Sequence, residues 1–233
     1  MATIKRQSAR PAAGRRPKSA KPDQDSRAAI LKSARSVFAR RGFEGASMRE
    51  VAEVARVNNA MIYYHFKDKL ELYRAVLGDS FTAFDRIWEH KIFSSSATAR
   101  DKIRKYIEEF IRFQHGNEEL RRIMSMEFAG CSENTKWLAD NYFVHSYGKL
   151  VKLIKEGIKR GELRKIDPAM AIPSLVGMII HSFIMRPIAE HVTGKKLDLT
   201  AERFGNFVTC MFFDGLCLDV DSRKITINRG HAS

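Results

Sequence analysis

The sequence predicts an all-α protein of about nine helices, in which a small three-helix unit precedes a larger helical body. Apolar residues recur at intervals of three and four through most of the 233 residues, and no segment alternates convincingly as a strand would. Capping and turn residues separate these periodic segments. We expect a basic arm over residues 1–26, the small unit over 27–78, the body over 79–218 and a tail over 219–233.

The arm mixes Pro, Ala, Gly and Ser with seven Lys/Arg and only two Asp. Because it has almost nothing to bury, it is predicted to be disordered in isolation. No apolar stretch follows its cations, so we expect no secretory signal. Two interpretations stay open: Arg15 and Arg16 enter a minor groove, or the arm is a solvated tail that raises affinity for any polyanion.

The first helix is predicted over residues 26–41 because its apolar side chains share one face, and Gly42 and Phe43 end it. Those side chains are Ile30, Ala34, Val37 and Phe38. They should pack on the two short helices that follow, so this helix is expected to be scaffold.

Two short helices separated by a tight turn are predicted next. Ser47 and Glu50 form a capping box that starts a helix at Met48, which should end near residue 55. Asn58 is a good N-cap for a second helix over residues 59–66, whose inner side carries Ile62 and Phe66. Two such helices across a short turn are typical of a helix-turn-helix.

Residues 27–78, about a fifth of the chain, resemble the N-terminal domain of TetR/AcrR repressors. The specific part is the run Tyr63-Tyr64-His65-Phe66 at the end of the second helix, with Lys69 at the start of the next. One departure is visible, since Arg56 stands in the turn where the family usually has Gly. A turn residue there often needs a positive φ, so we expect Arg56 to be mildly strained or the turn to differ slightly, with another cation on the DNA side.

The resemblance and the helix spacing together imply that the second short helix lies in the major groove. Asn59 is suited to adenine and Met61 to a thymine methyl group, whereas Lys69 lies in the first turn of its helix, where an anion is favoured. The residues expected to contact bases or phosphates are Ser47, Arg49, Asn59, Ala60, Met61, Tyr63, Tyr64, His65 and Lys69.

The body is predicted to be helical throughout. A long helix over residues 68–91 should connect it to the small unit, and further helices are expected over 98–115, 117–129 and 134–160. Residues 169–189 are apolar nearly all round but contain Pro173, His181 and Arg186, so we expect a buried helix and no membrane span.

The closing helix is predicted over residues 200–218. The last two helices carry more apolar surface than a monomer could cover, and in the resembling family they form a four-helix dimer interface. The resemblance therefore implies a homodimer that reads a palindromic operator. The residues expected at its interface are Leu175, Ile179, Phe183, Phe204, Phe207, Val208 and Met211.

Aromatic and methionine side chains in the body are mostly expected to form its core. The family resemblance also implies an apolar cavity for a small-molecule effector, oriented by a few polar groups. Possible liners of that cavity are Trp88, Met126, Trp137, Tyr142, His145, Met178 and His181.

The charge is unevenly distributed: the chain carries +14, most of it before residue 76, which implies a polyanionic partner for that part. Cys131, Cys210 and Cys217 are too few for a disulfide framework and fit buried thiols in the cytoplasm. No phosphate-binding glycine loop, nucleophile elbow or clustered His and acidic residues point to an enzyme, a metal or a cofactor.

The sequence therefore favours a sequence-specific DNA-binding transcriptional regulator, a repressor released from its operator by a small molecule. The alternative is an architectural or spatial-regulation DNA-binding protein of the same fold, without an effector. A helical-bundle enzyme would need clustered acidic or His residues facing a core, and the sequence shows none.

Overall fold

The computed structural model describes residues 22–93, 96–130 and 132–214, and within them every regular element is helical. The elements are α1 (Pro22–Gly45), α2 (Met48–Ala55), α3 (Asn59–His65), α4 (Lys69–Trp88), α5 (Ala99–Gly116), α6 (Glu118–Gly130), α7 (Glu133–Leu138), α8 (Val144–Lys159), α9 (Pro168–Thr193) and α10 (Arg203–Phe213). A π-helical turn over Glu89–Phe93 extends α4, and another over Ala139–Phe143 joins α7 to α8. The all-α prediction is confirmed for these residues, which form nine continuous helical segments.

The first helix begins earlier than the sequence predicted. It starts at Pro22, so residues 22–26 of the expected disordered arm are helical. A proline fits the first helical turn because its missing N–H would have no partner there. The predicted stop is confirmed, since Gly42 has a φ of 69° and interrupts the helix. The rest of the arm, with Arg15 and Arg16, lies outside the described residues, as do Cys131, Cys217 and the predicted tail.

The core forms two clusters, and neither coincides with a boundary at residue 78. The first cluster contains the apolar faces of α1, α2, α3 and the start of α4, together with Leu120, Ile123 and Met124 of α6 and Leu138 of α7. The second is built from the end of α4 and from α5, α8, α9 and α10. We call α1–α3 with the first half of α4 the head, and the remainder the body. Two body helices therefore help to close the core of the head.

A buried hydrogen bond also joins head and body. The Tyr73 hydroxyl of α4 donates to Glu127 of α6 at 2.6 Å. Burial, and then the Glu127 carboxylate that accepts this bond, raise the pKa of Tyr73 above its ordinary value. The phenol therefore stays protonated and keeps donating, which fixes α6 against α4.

The helix α9 is less buried than the sequence predicted. It is long and apolar enough to cross a membrane by length and composition, yet only 28% of its most apolar window is buried inside the chain. One flank enters the body core through Leu175, Ile179 and Phe183. The opposite flank exposes apolar side chains at helical spacing: Met170, Ile184, Ile188 and Val192. We call these four residues the outer face of α9.

Cys210 also departs from the prediction of a buried thiol. It lies on the exposed side of α10 rather than in the core. The reason is the register of that helix, which turns Phe204 and Val208 inward and leaves Phe207 and Cys210 on the opposite side.

Candidate nucleic-acid interface

The first short helix is held at its start by a local cap. The Ser47 side chain accepts a hydrogen bond from the Glu50 backbone N–H at 3.1 Å, as the capping box predicted. Glu50 also lies 3.6 Å from Arg40 and 3.7 Å from Arg41 on α1. Met48, Val51 and Ala52 are buried against the head core. The cap and the buried face together fix the orientation of α2 on α1.

The turn between the two short helices has the strain that its residue type predicted. Arg56 has a φ of 56° and a ψ of 40°, and it is the only non-glycine residue with a positive φ in the described part of the chain. Its N–H and that of Val57 bond back to carbonyl groups of α2. A left-handed conformation costs a residue with a Cβ about 1–2 kcal/mol. The arginine side chain is exposed and adds a cation between α2 and α3.

The second short helix begins with an equally local cap, since the Asn58 side chain accepts from the Met61 N–H at 2.7 Å. Ile62 and Phe66 are buried, as predicted. Asn59, Ala60, Tyr63 and Tyr64 are exposed, with Tyr64 at 73%. The outer surface of α3 is therefore one amide, one small residue and two phenols, all free to meet base edges.

Met61 differs from the others expected to face bases, because it is only partly exposed and packs against the head core. The helix register accounts for this, because Met61 is adjacent to the inward-facing Ile62.

The cations of this surface differ in how firmly they are held. Arg49 has a side chain that is 85% exposed, and its one ion pair within the described residues is with Glu53, one turn along α2, at 3.2 Å. Lys67 is exposed in the turn between α3 and α4, and like Arg56 it is a cation in a turn next to α3. The predicted contact set omitted Arg56 and Lys67. Their signal was present, because both are cations in the turns that flank the recognition helix.

Two of the predicted phosphate ligands already have partners within the head. His65 lies 2.9 Å from the Ser26 hydroxyl of α1. The Lys69 ammonium lies 3.2 Å from the carbonyl oxygens of both Glu44 and Ala46, and 4.6 Å from the ring centre of Phe43. Lys69 thus binds the end of α1, where carbonyl groups lack helical partners.

The start of α4 is also less open to an anion than its position suggested. The Asp68 side chain accepts from the Glu71 N–H at 2.8 Å, and Glu71 accepts from the Lys67 N–H at 2.8 Å. Two carboxylates therefore occupy the positive end of this helix dipole. The reason for a phosphate at Lys69 is weakened on both counts.

The structure does not bring the seven predicted effector residues into one cavity, although the ring centres of Trp137 and Tyr142 lie 5.6 Å apart. Trp88 is buried in the body core, whereas Met126, Trp137 and Tyr142 lie on or beside the head core. Tyr142 packs so closely on α4 that a Cβ added at Gly78 would lie 2.5 Å from its hydroxyl. His145 and His181 are exposed, and Met178 packs against the body core. None of the seven lines the cleft among α1, α4 and α5, or the cleft that Arg100, Leu163 and Phe213 help to form.

Most residues predicted for the dimer interface are buried in the core of the body. Those already in the body core are Leu175, Ile179, Phe183, Phe204 and Val208. A second copy could not contact them unless the core opened, because they face inward along α9 and α10. Phe207, at 58% exposure, and the partly exposed Met211 are accessible. The interface therefore stays a prediction, and of the residues predicted for it only Phe207 and Met211 are accessible in this chain.

Comparison with known proteins assigns both halves of the chain to one kind of protein. Residues 30–76 match the model for bacterial regulatory proteins of the tetR family. Residues 96–183 match the model for the C-terminal domain of tetracyclin repressor-like proteins. The first match ends within α4 and the second begins shortly before α5, so residues 77–95 separate them.

Curated relatives are transcriptional regulators. The activator FasR of Mycolicibacterium smegmatis is 32% identical over 123 residues, which cover 51% of this chain and 54% of FasR. YttP of Bacillus subtilis, described as an HTH-type regulator, is 26% identical over 134 residues, 57% of this chain and 65% of YttP. RutR of Escherichia coli K12 is 29% identical over 178 residues, 72% of this chain and 79% of RutR. The chain thus spans between about half and two thirds of the length of FasR and YttP.

Solved structures share the fold. The regulator FadR from Bacillus subtilis, determined in complex with stearoyl-CoA, has a TM-score of 0.68 and 21% identity, covering 82% of this chain and 99% of FadR. PfmR from Thermus thermophilus has a TM-score of 0.67 and 19% identity, covering 81% of this chain and 99% of PfmR. At these identities the likeness supports the arrangement of helices alone.

Proposed function

From the premise that this chain belongs to the tetR family and is a DNA-binding transcriptional regulator rather than an enzyme, we propose that it is a repressor. It binds a palindromic operator as a homodimer in the cytoplasm, and a small-molecule effector releases it. The observation that carries the DNA-binding part is the outer surface of α2 and α3, where exposed Asn59, Tyr63 and Tyr64 stand among the cations Arg49, Arg56 and Lys67.

Base reading belongs to α3 in this proposal. An asparagine amide can pair with the N6 and N7 atoms of adenine. Among the exposed residues of α3, only Asn59 carries an amide. Tyr63 and Tyr64 supply hydroxyl groups for phosphates or base edges. Arg49, Arg56 and Lys67 hold the phosphate backbone on either side, and they fix register without reading sequence.

Homodimer formation is supported by the outer face of α9 together with Phe207 of α10. These apolar side chains lie on two adjacent helices and are exposed in the single chain. Exposed apolar surface of this kind favours association with a complementary surface. In a dimer with two-fold symmetry, the same face of each subunit packs against its copy. Two heads related by that axis would read half-sites about 34–36 Å apart.

Release by an effector is supported by the way the head is built. Since α6 and α7 contribute to the head core, and Tyr73 bonds to Glu127, a displacement within the body reaches the head directly. FadR binds stearoyl-CoA, so a protein of this fold can hold a ligand. An effector lowers DNA affinity only if it prefers a conformation in which the heads no longer match the operator.

The deciding experiment is selection of preferred duplexes from a random library, followed by titration at several salt concentrations. We expect a palindrome whose half-site centres lie about one helical turn apart. Enrichment of no sequence, or only of bent or AT-rich duplexes, would instead favour an architectural DNA-binding protein. Transcription from a promoter that carries the selected site then separates repression from activation.

Release by an effector is tested by measuring the affinity of the protein for that effector with and without saturating operator. A metabolite that lowers operator affinity must itself bind more weakly when operator is saturating, by the same factor, typically about 5–150-fold. Equal affinities in the presence and absence of operator would leave a regulator whose body does not sense that molecule.

A further inference from the structure

A cleft at the junction of head and body has the chemistry of a ligand site. It has a volume of about 330 Å³ and lies among α1, α4 and α5. Its walls include Arg35 of α1, Asp79 and Ile87 of α4, and Glu109, Arg112 and Phe113 of α5. That volume is at the lower end of the range for small-molecule sites, which is about 300–1,000 Å³.

Arg35 has more hydrogen-bonding capacity than the protein uses. One of its terminal nitrogens lies 3.2 Å from Asp79, whose side chain is 64% exposed. Its Nε is buried and has no hydrogen-bond partner among the described residues. A buried donor without an acceptor costs about 1–3 kcal/mol. An exposed ion pair contributes about 0–1 kcal/mol, so Asp79 is a partner that another carboxylate can replace.

The opposite wall carries an excess of positive charge. The buried Glu109 carboxylate lies 2.8 Å from Arg112, 3.3 Å from Lys91 and 3.5 Å from Lys105. Arg112 and Lys105 also approach Glu108, so three cations here share two carboxylates. Arg112 is about half exposed and keeps donors available to the cleft. Lys91, Lys105 and Glu108 do not line the cleft themselves, but counted with its two arginines and two carboxylates they leave one more cation than anion around it, which favours an anionic ligand.

We propose that this cleft binds a small organic carboxylate, held by Arg35 and Arg112 with its apolar part on Ile87 and Phe113. A guanidinium binds a carboxylate best through two parallel N–H bonds, and the Nε and terminal nitrogen of Arg35 offer that edge. The inference rests on the proposed function in one respect, which is that this ligand is the effector. Its position suits that role, because the ligand would lie between the scaffold helix of the head and a helix of the body.

The test is calorimetry of the full chain, without DNA, against hexanoate, octanoate and phenylacetate. Hexanamide and hexylamine serve as neutral and cationic counterparts of similar shape. We expect at least one carboxylate to bind, with affinity lowered about 10-fold or more by Arg35→Gln. Ala83→Trp, at an exposed position of α4 that lines the cleft, should lower it as well by filling the space.

Arg104→Gln is the matched control, because Arg104 is an exposed arginine on the same helix as Arg112 but outside the cleft. Its affinity for the carboxylate should be unchanged. The two cleft variants together exclude misfolding as the cause of weaker binding. Arg35→Gln removes the ion pair with Asp79, whereas Ala83→Trp leaves that ion pair intact and only fills the cleft. The proposal is overturned if no carboxylate binds, if the amide or the amine binds as tightly, or if both cleft variants bind as the wild type does.

A separate measurement of operator binding distinguishes a failure of the carboxylate site from a failure of the proposed regulator function. If the protein selects a palindrome but binds no carboxylate, the inference fails and the regulator stands. If a carboxylate binds in the cleft yet leaves operator affinity unchanged, the site stands and its role as effector site is wrong.

Discussion

The outer surface of α2 and α3 and the outer face of α9 are both exposed, yet they present opposite chemistries. The first offers an amide, two phenols and flanking cations, each positioned by a cap or turn a few residues away. The second offers methionine, isoleucine and valine side chains that the described part of the chain leaves exposed. A polar surface of that kind can stay solvated until DNA arrives, whereas the apolar face gains free energy by burial. The two surfaces therefore imply different partners for the two ends of the protein.

The largest effect is expected from charge placed on the outer face of α9. Ile188→Glu, or Phe207→Glu on the neighbouring helix, should give monomers, because a buried carboxylate without a partner costs far more than the lost apolar contact. Each head then binds its half-site alone, and operator affinity should fall by about 100–10,000-fold. Sedimentation equilibrium and operator titration measure the two effects.

Val144→Glu is the matched control for that prediction. Val144 is apolar, as Ile188 is, and 65% exposed, but it lies on α8 and is not part of the outer face of α9. It should leave the protein dimeric. If the control dissociates and the Ile188 variant does not, the interface lies elsewhere.

The second largest effect is expected on DNA binding, from substitutions on α3 and α2. Asn59→Ala should change the preferred base at one position of each half-site, at a cost of about 1–3 kcal/mol. Arg49→Gln, on α2, should instead weaken binding to all duplexes alike and lower the slope of log K against log salt by about 0.9. Repeating the site selection with each variant gives the answer. An unaltered preference for Asn59→Ala would assign base reading to the tyrosines.

The head was the more predictable of the two regions, and the reason is the range of its interactions. The Ser47 and Asn58 caps, the Gly42 stop and the inward Ile62 and Phe66 all depend on neighbours within one or two turns. Sequence displays such neighbours directly. The exposed side of α3 is what remains once those inward residues are assigned, so the exposure of Asn59, Tyr63 and Tyr64 could be predicted as well.

The sites of the body depend on packing between distant segments, which periodicity does not reveal. An apolar residue on α9 is equally suited to the core and to a dimer, and only the packed structure shows that Ile179 is inside and Ile188 outside. The cleft at the junction joins Arg35 to Arg112, two residues that no local pattern connects. The contacts of Lys69 were hidden for a related reason, because its carbonyl partners, Glu44 and Ala46, lie more than twenty residues earlier in the chain.

A smaller effect should follow from relieving the strain of the turn. Arg56→Gly removes a Cβ from a left-handed conformation and should raise the free energy of unfolding by about 1 kcal/mol, with a lower salt slope of DNA binding. Arg56→Ala separates the two contributions, since it loses the cation but keeps the strain. Denaturant unfolding of the three proteins would refute the idea if the glycine variant were the least stable.

An effect no larger than that at Arg56 is expected at Lys69, where a contribution to the stability of the head is hardest to distinguish from a contribution to DNA binding. If its ammonium serves the end of α1, Lys69→Met should lower the free energy of unfolding by about 1 kcal/mol and leave the salt slope unchanged. Lys67→Met, in the adjacent turn, should do the reverse: it keeps stability and lowers the slope by about 0.9, because that exposed side chain is proposed to contact phosphate. Both quantities come from denaturant unfolding and from operator titration between low and moderate salt. A lower slope for Lys69→Met with undiminished stability would return this lysine to the phosphate backbone and show that its carbonyl contacts give way when DNA binds.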